Sequence, residues 1–269
     1  MKRSPFAASI SVQTVFPGPN VIPSLSDVLI SLRENGFYGI ELNIPDLYKT
    51  ITPDKLRKEL DTYELKMDYL ATGAFAKKNR LSLSTSDQKL RELSIEGLLQ
   101  NITYASEFEC GIILGFFKGG ISKDRISAAS YLEQSIYHAL PLAEKLNVTI
   151  LLEVTNHTEC SVLNTLEEGA VLIDKIGSPF VKLLADTYHM NIDEPDLFSS
   201  LEKYVNYFPH LHLSDNTRTY PGFGTLDFAR IARTLHRIGY KGSYALEGNL
   251  QSGLINDINT SADYLHTLY

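Results

Sequence analysis

Four polar residues recur at matching places in the second half of the chain: Glu153, Asp186, His212 and Glu247. They lie in or end the apolar runs ILLEV, VKLLADTYH, PHLHLSD and GSYALEG, at intervals of 33, 26 and 35 residues. Ile150, Leu151 and Leu152, with Val148 and Val154, have the pattern of a strand buried on both faces, as in a parallel sheet wrapped in helices. Each interval has room for one strand and one helix. The four side chains are therefore expected at the same end of four successive parallel strands, where an α/β barrel carries its chemistry. Three carboxylates gathered at one barrel mouth repel one another, and a divalent cation is the simplest counter-charge. Oxygen donors with one nitrogen suit Mn²⁺, Mg²⁺ or Co²⁺ better than a metal that prefers thiolates. Two carboxylates and a Lewis acid suffice to move a proton at a carbon beside a carbonyl, and no nucleophile is needed. The competing reading, four unrelated residues at loop starts, leaves their periodic placement unexplained.

The remaining units follow the same alternation. Phe6 to Val15 is predicted as the first strand, and Ser24 or Ser26 as the cap of a helix that runs to Asn35 and stops at Gly36. FYGIELNI, with Glu41 near its end, is the second strand, and Thr52 caps a helix that begins at Pro53. LKMDYLATGAF is the third strand, before a long helix from about Asp87 to Phe108. GIILGFFKGG is the fourth, and the helix opened by Ser122 is expected to break or kink at Pro141. After the fifth strand, NTLEEGAVLIDKIG forms a helix with Gly177 at its C-terminal stop. Pro195 marks a helix start after the sixth strand. The loop SDNTRTYPGFG leads into the helix LDFARIARTLHRIGY, and SYALEGN is the eighth strand before a closing helix SADYLHTLY. Eight strand–helix units predict an α/β fold, a single (β/α)8 TIM barrel domain over residues 1–269. An open doubly wound sheet is the alternative, but no GxGxxG follows the first strand.

Composition narrows the function classes. The formal charge is −7 over 269 residues with no Lys/Arg block, so no nucleic-acid partner is expected. No run approaches the ~18 apolar residues of a membrane helix, and MKRSPFAASISVQ lacks an apolar leader segment. A cytoplasmic protein with no membrane partner is expected. Cys110 and Cys160 make no CxxC pattern and are read as plain thiols.

From about residue 70 to 250, the stretches AFAKKNRLSLSTSDQKLRE, GIILGFFKGG, LLEVTNHTE, LLADTYHMNID, HLHLSDNTRTYPGFGTLDF and GYKGSYALEG resemble the xylose-isomerase-like TIM barrels. The resemblance is to the sugar isomerase/epimerase branch of the D-tagatose and D-psicose 3-epimerases. It implies that Glu153, Asp186, His212 and Glu247 hold one divalent metal ion, Mn²⁺ foremost, with Mg²⁺ or Co²⁺ as alternatives. It implies that Glu153 and Glu247 are catalytic. One would remove the proton beside a metal-polarised ketose carbonyl, and the other would return a proton to the opposite face of the enediolate. His189 and Arg218 would hydrogen-bond substrate oxygens near the reacting carbons, and Glu159 would contact the sugar's end.

Without the resemblance, His189 caps a loop and Arg218 pairs with Asp215. Glu41 has two readings, reaching the mouth or making a supporting hydrogen bond or salt bridge. His210, two residues before His212 and hence on the same face, is read as a barrel-floor histidine. The chain departs from the branch in having no tryptophan, so Phe75, Phe116 or Phe117 is expected to supply the apolar wall of the pocket. His157 and Lys118 stand where arginine is common. Lys118, among glycines, is either an anchor for a sugar phosphate or a loop lysine in solvent.

The expected partner is thus a small sugar or sugar phosphate, and the expected reaction ketose 3-epimerisation. Aldose–ketose isomerisation, an inosose-type dehydration and a non-catalytic sugar-binding barrel are the alternatives. The DNA-cleaving branch uses three metals and more histidines, which an acidic chain suits badly. YLHTLY packs either in an interface or on the chain's own first helix, and a homodimer is the expectation.

Overall fold

The computed structural model describes residues 10–15 and 23–268. Its strands are β1 Ile10–Val15, β2 Gly39–Asn43, β3 Lys66–Ala71, β4 Gly111–Leu114, β5 Ile150–Glu153, β6 Val181–Asp186, β7 His210–Leu213 and β8 Ser243–Leu246. All pair in parallel in chain order, and β1 also pairs with β8, which closes the sheet into a barrel. Around it lie α1 Leu25–Glu34, α2 Pro53–Thr62, α3 Gly73–Asn79, α4 Gln88–Ser106, α5 Arg125–Leu146, α6 Leu166–Ile176, α7 Thr187–Asp193, α8 Leu197–Tyr204, α9 Phe228–Arg237 and α10 Leu254–Thr267. The predicted (β/α)8 barrel is the fold observed. Among the described residues, no helix is long and apolar enough to cross a membrane.

Local chemistry sets the helix starts. Ser24, Asp87, Asp124, Thr165 and Asp227 each accept a backbone N–H of the helix that follows, satisfying donors that have no partner inside the helix. Gly177 ends α6 at φ +69°, a left-handed conformation that residues with a side chain adopt at a cost and glycine does not. Several expected boundaries move. The third strand ends at Ala71, and Gly73 opens the short helix α3 where an extended run to Phe75 was predicted. The fourth strand ends at Leu114, and Phe116–Lys118 is a single 3₁₀ turn. Asp124, not Ser122, caps α5, and α5 runs unbroken through Pro141, whose side chain is exposed. A proline there forfeits one N–H bond of the helix.

Two further helices differ from expectation. α7 follows Asp186 directly, so His189 is helical and Pro195 precedes α8 by two residues. α10 begins at Leu254, seven residues before the predicted closing helix. Asp257 in its first turn accepts the N–H groups of Gln251 and Ser252 and organises the entry. α10 packs on α1, with Asn259 Oδ1 accepting from Ser31 Oγ and Asn35 Nδ2 at 3.2 and 2.7 Å. Residues 6–9 of the predicted first strand lie outside the described residues.

Inside the barrel, Ile113, Leu151 and Leu184 form a small apolar cluster against Tyr69, separate from the larger core between strands and helices. Side chains two residues apart on a strand share a face. Leu151 and Leu184 therefore place Glu153 and Asp186, one step further along, on the inner face at the C-terminal mouth. Register completes the arrangement, since Asp186 pairs with His212.

Lower in the barrel, Asp68 on β3 accepts a hydrogen bond from Ser11 Oγ at 3.1 Å. Burial pushes its carboxyl up to about 6, with Glu41 adding to the rise and His210 opposing it. An unfolded aspartate titrates near ~3.9, so ionising Asp68 opposes folding: the penalty is absent below that value and complete above about 6. Asp68→Asn is expected to gain stability over the parent chain as pH rises from about 4 to about 8. Urea unfolding midpoints at both pH values measure this, and a difference that does not change with pH would contradict it.

Candidate metal centre and active site

Glu153, Asp186, His212 and Glu247, expected from spacing alone to meet, do meet. One ligand atom from each lies within 4.8 Å of all the others. His212 Nδ1 is the hub, at 2.9 Å from Glu247 Oε2, 3.6 Å from Glu153 Oε1 and 3.7 Å from Asp186 Oδ2. Asp186, Glu153 and His212 are buried, and Glu247 is partly open to the mouth. Burial alone would lower the His212 imidazole, but Glu247 and Glu41 outweigh it and raise it well above its ordinary range. Burial raises Asp186, while His212 and Arg218 overcome burial at Glu247 and hold that carboxyl low.

The surroundings aim the donor atoms inward. Asp186 Oδ1 is occupied as the cap of α7, accepting from the N–H groups of Tyr188 and His189 at 2.7 and 3.1 Å, which turns Oδ2 to the cluster. Glu153 Oε1 is buried with no hydrogen-bond partner among the described residues. Glu153 Oε2 lies against Gly115, where any Cβ would strike it. An unpartnered buried carboxylate oxygen beside two more carboxylates and an imidazole nitrogen is the donor set of a hard divalent cation, so these residues fit one.

Lys118 corrects both expectations for it. Its side chain is fully buried, and Nζ donates to the Glu153 backbone carbonyl and, at 3.1 Å, to Thr155 Oγ1. Burial lowers its ammonium pKa. It is therefore neither a solvent lysine nor a phosphate anchor but a brace under the end of β5. Glu41 takes the supporting role of its two readings: fully buried, it contacts both His210 and His212. Burial raises its carboxyl, but the two imidazoles prevail and hold it down at about 2. His210 is the barrel-interior histidine expected.

Above the cluster opens a cavity of about 900 Å³, lined in part by Glu153, Glu247, Glu159, Arg218, Asn43 and Phe116. His189 is fully buried, and its Nδ1 accepts the Asn156 N–H at 3.1 Å. A neutral imidazole then carries its proton on Nε2, which has no hydrogen-bond partner among the described residues and lies 3.9 Å from Glu153 Oε1. Arg218 pairs with Glu159, not Asp215, and its guanidinium lies 5.2 Å from the Tyr188 ring centre. Its backbone is left-handed at φ 55°, fixed by bonds from its N–H to Asp215 O (2.8 Å) and from Asn249 N–H to its carbonyl (2.6 Å). Asp215 instead organises the loop, accepting from the N–H groups of Asn216, Gly222, Gly224 and Leu226.

Of the three phenylalanines, Phe116 lines the cavity at 58% exposure, whereas Phe75 and Phe117 are buried in the core. His157 is exposed and paired with Asp193. Cys110 and Cys160 are free, buried thiols. Asn156 and Gly115 carry roles that sequence reasoning missed. Asn156 lies inside TNHTE, where an uncharged polar residue right after a strand is the available signal. Gly115 directly follows an apolar strand whose neighbour ends in a carboxylate.

A closed parallel barrel with carboxylates and an imidazole at the C-terminal mouth defines the class. The chain belongs to the xylose isomerase-like TIM barrel family, whose model matches residues 30–267. A D-psicose 3-epimerase of Enterocloster bolteae is 39% identical over 111 residues, 41% of this chain and 37% of that protein. A ketose 3-epimerase of Arthrobacter globiformis is 29% identical over 155 residues, 58% of this chain and 53% of that protein. The matched stretches thus span about half or less of these curated relatives. Among solved structures, an L-ribulose 3-epimerase superposes with a TM-score of 0.85 at 21% identity, covering 97% of this chain and 94% of that one. At that identity the likeness shows the fold.

Gly115→Ala is expected to displace the Glu153 carboxylate, because the obstructed atom is the movable end of a side chain, and to leave the fold in place. Divalent-cation affinity should fall by about tenfold or more with an unchanged far-ultraviolet circular dichroism spectrum. Parental affinity in the folded variant would contradict this placement of Glu153.

Proposed function

We propose that the chain is a divalent-metal-dependent ketose 3-epimerase. The observation that carries this reading is the convergence of three carboxylates and His212 Nδ1 within 4.8 Å at the foot of an open cavity. Glu153, Asp186, His212 and Glu247 would hold the ion, with Mn²⁺ preferred. Bound there, a divalent cation supplies Lewis acidity to a substrate carbonyl and so acidifies the adjacent C–H.

The chain's own groups account for the rest. Glu153 and Glu247 belong to β5 and the end of β8 and approach the cavity from different sides of the barrel. In this reading one carboxylate takes the proton from the carbon beside the carbonyl. The other, in its acid form, delivers a proton to the opposite face, so configuration inverts without any bond between enzyme and sugar. His189 Nε2–H, without a partner among the described residues and next to Glu153, donates to the substrate oxygen on which negative charge grows. Arg218 and Glu159, at the rim, bind hydroxyls further along the sugar. With Lys118 committed beneath β5, the substrate class narrows to a free ketose over a sugar phosphate.

Incubation of Mn²⁺-loaded protein with a panel of ketoses and ketose phosphates in D₂O tests the reading. Deuterium is expected at C3 of a free ketose, and EDTA should abolish the exchange. Glu247→Gln keeps the shape of the side chain but removes a proton carrier, and exchange should fall by about 10²- to 10⁴-fold. Exchange at parental rate in that variant, or exchange that survives full metal removal, would sink the mechanism. Deuterium at C1 with aldose formed would replace it by aldose–ketose isomerisation.

A further inference from the structure

His212 is gripped from behind as well as from the front. While Nδ1 faces the three carboxylates, Nε2 lies 3.1 Å from Glu41 Oε2. Glu41 belongs to β2, across the barrel interior from β7, and is fully buried. Its other oxygen lies 2.6 Å from His210 Nε2, and His210 Nδ1 meets Ser243 Oγ at 2.6 Å. Gln13 Nε2 adds a contact to Glu41 Oε2 at 3.4 Å.

An ionised carboxylate has no proton to give, so at the Glu41 Oε2–His212 Nε2 contact it is the imidazole that donates. His212 is thereby held with a proton on Nε2. When the His212 ring is neutral, the nitrogen left to carry a lone pair is Nδ1, the one already turned toward Glu153, Asp186 and Glu247.

The geometry points to Glu41 as a positioning residue that fixes the tautomer and ring plane of His212, with His210 and Ser243 fixing Glu41 in turn. The consequence for cation binding rests on the metal-centre reading above; the hold of Glu41 on His212 does not. The three buried groups Glu41, His210 and His212 are also close enough to suggest a second cation site. Two donors each ~2.1 Å from one ion at right angles stand about 3 Å apart, and Glu41 Oε1 and His210 Nε2 are closer than that. That pair is too close to flank one ion in this geometry.

The test uses the full chain as Glu41→Leu and Glu41→Gln variants. In metal-free parent protein, ¹⁵N-histidine NMR, assigned with His212→Gln, is expected to show a slowly exchanging proton on His212 Nε2. Glu41→Leu should lose it. Glu41→Gln, which keeps one acceptor and serves if the leucine variant does not fold, should retain it at a shifted frequency. Mn²⁺ dissociation constants, read by competition with a fluorescent chelator, are expected to rise toward 100-fold in Glu41→Leu and about tenfold in Glu41→Gln.

Affinity unchanged within about twofold in a folded variant, even with a lowered melting temperature, would reduce Glu41 to a packing role and overturn the proposal. So would a His212 proton found only on Nδ1, or two ions per parent chain of which a variant loses one. A parent chain that binds no Mn²⁺ but keeps the Nε2 proton would overturn the metal-centre reading and leave the hold of Glu41 standing.

Discussion

Repulsion among Glu153, Asp186 and Glu247 is the constraint on which the mouth of this barrel is built. Like charges a few ångströms apart in a site shielded from water interact far more strongly than on a surface. Burial raises the carboxyl of Asp186 and Glu247 adds to the rise, while Glu247 and Glu41 raise the imidazole of His212. A flexible loop would relieve the repulsion by moving apart. Closed strand pairing forbids that, because Asp186 and His212 are register partners and Glu153 ends the strand next to them.

The layers beneath divide the work of holding the cluster. On one side Ile113, Leu151 and Leu184 give an apolar wall that orients neighbouring side chains by strand alternation. On the other, Glu41, His210 and Ser243 form a polar wall that fixes His212. Lys118 ties the end of β5 from outside the barrel axis, and Gly115 leaves room for the Glu153 carboxylate. Above, Asn156 holds both His189 and Glu159, and the Asp215-centred loop holds the backbone of Arg218. This combination of a rigid floor and an open top is what proton transfer on a small polar molecule requires.

The cluster was legible because its signal is local and periodic: an apolar β run, a terminal carboxylate or histidine, and a repeat of one strand plus one helix. His210 was legible for the same reason, through its two-residue offset from His212. Boundaries at the mouth were not. LATGAF and GIILGFFKGG continue their apolar composition past the last ladder bond, so the sequence gives no stop before α3 or the 3₁₀ turn. Lys118 was misjudged because adjacent glycines suggest an exposed loop, whereas its partners, Glu153 and Thr155, lie 35 and 37 residues away. Glu41 joins His212 across 171 residues, a contact that no periodicity within either strand encodes.

In the proposed function the four strand-end residues form one cation site, with His212 binding through Nδ1. A crystal structure of the Mn²⁺-soaked protein, with anomalous differences collected at the manganese edge, tests it most directly. One anomalous peak is expected per chain, in contact with Glu153, Asp186, Glu247 and Nδ1 of His212. A peak elsewhere, a peak on Nε2 beside Glu41, or none at these residues at saturating Mn²⁺ would contradict a cation site built on these four residues.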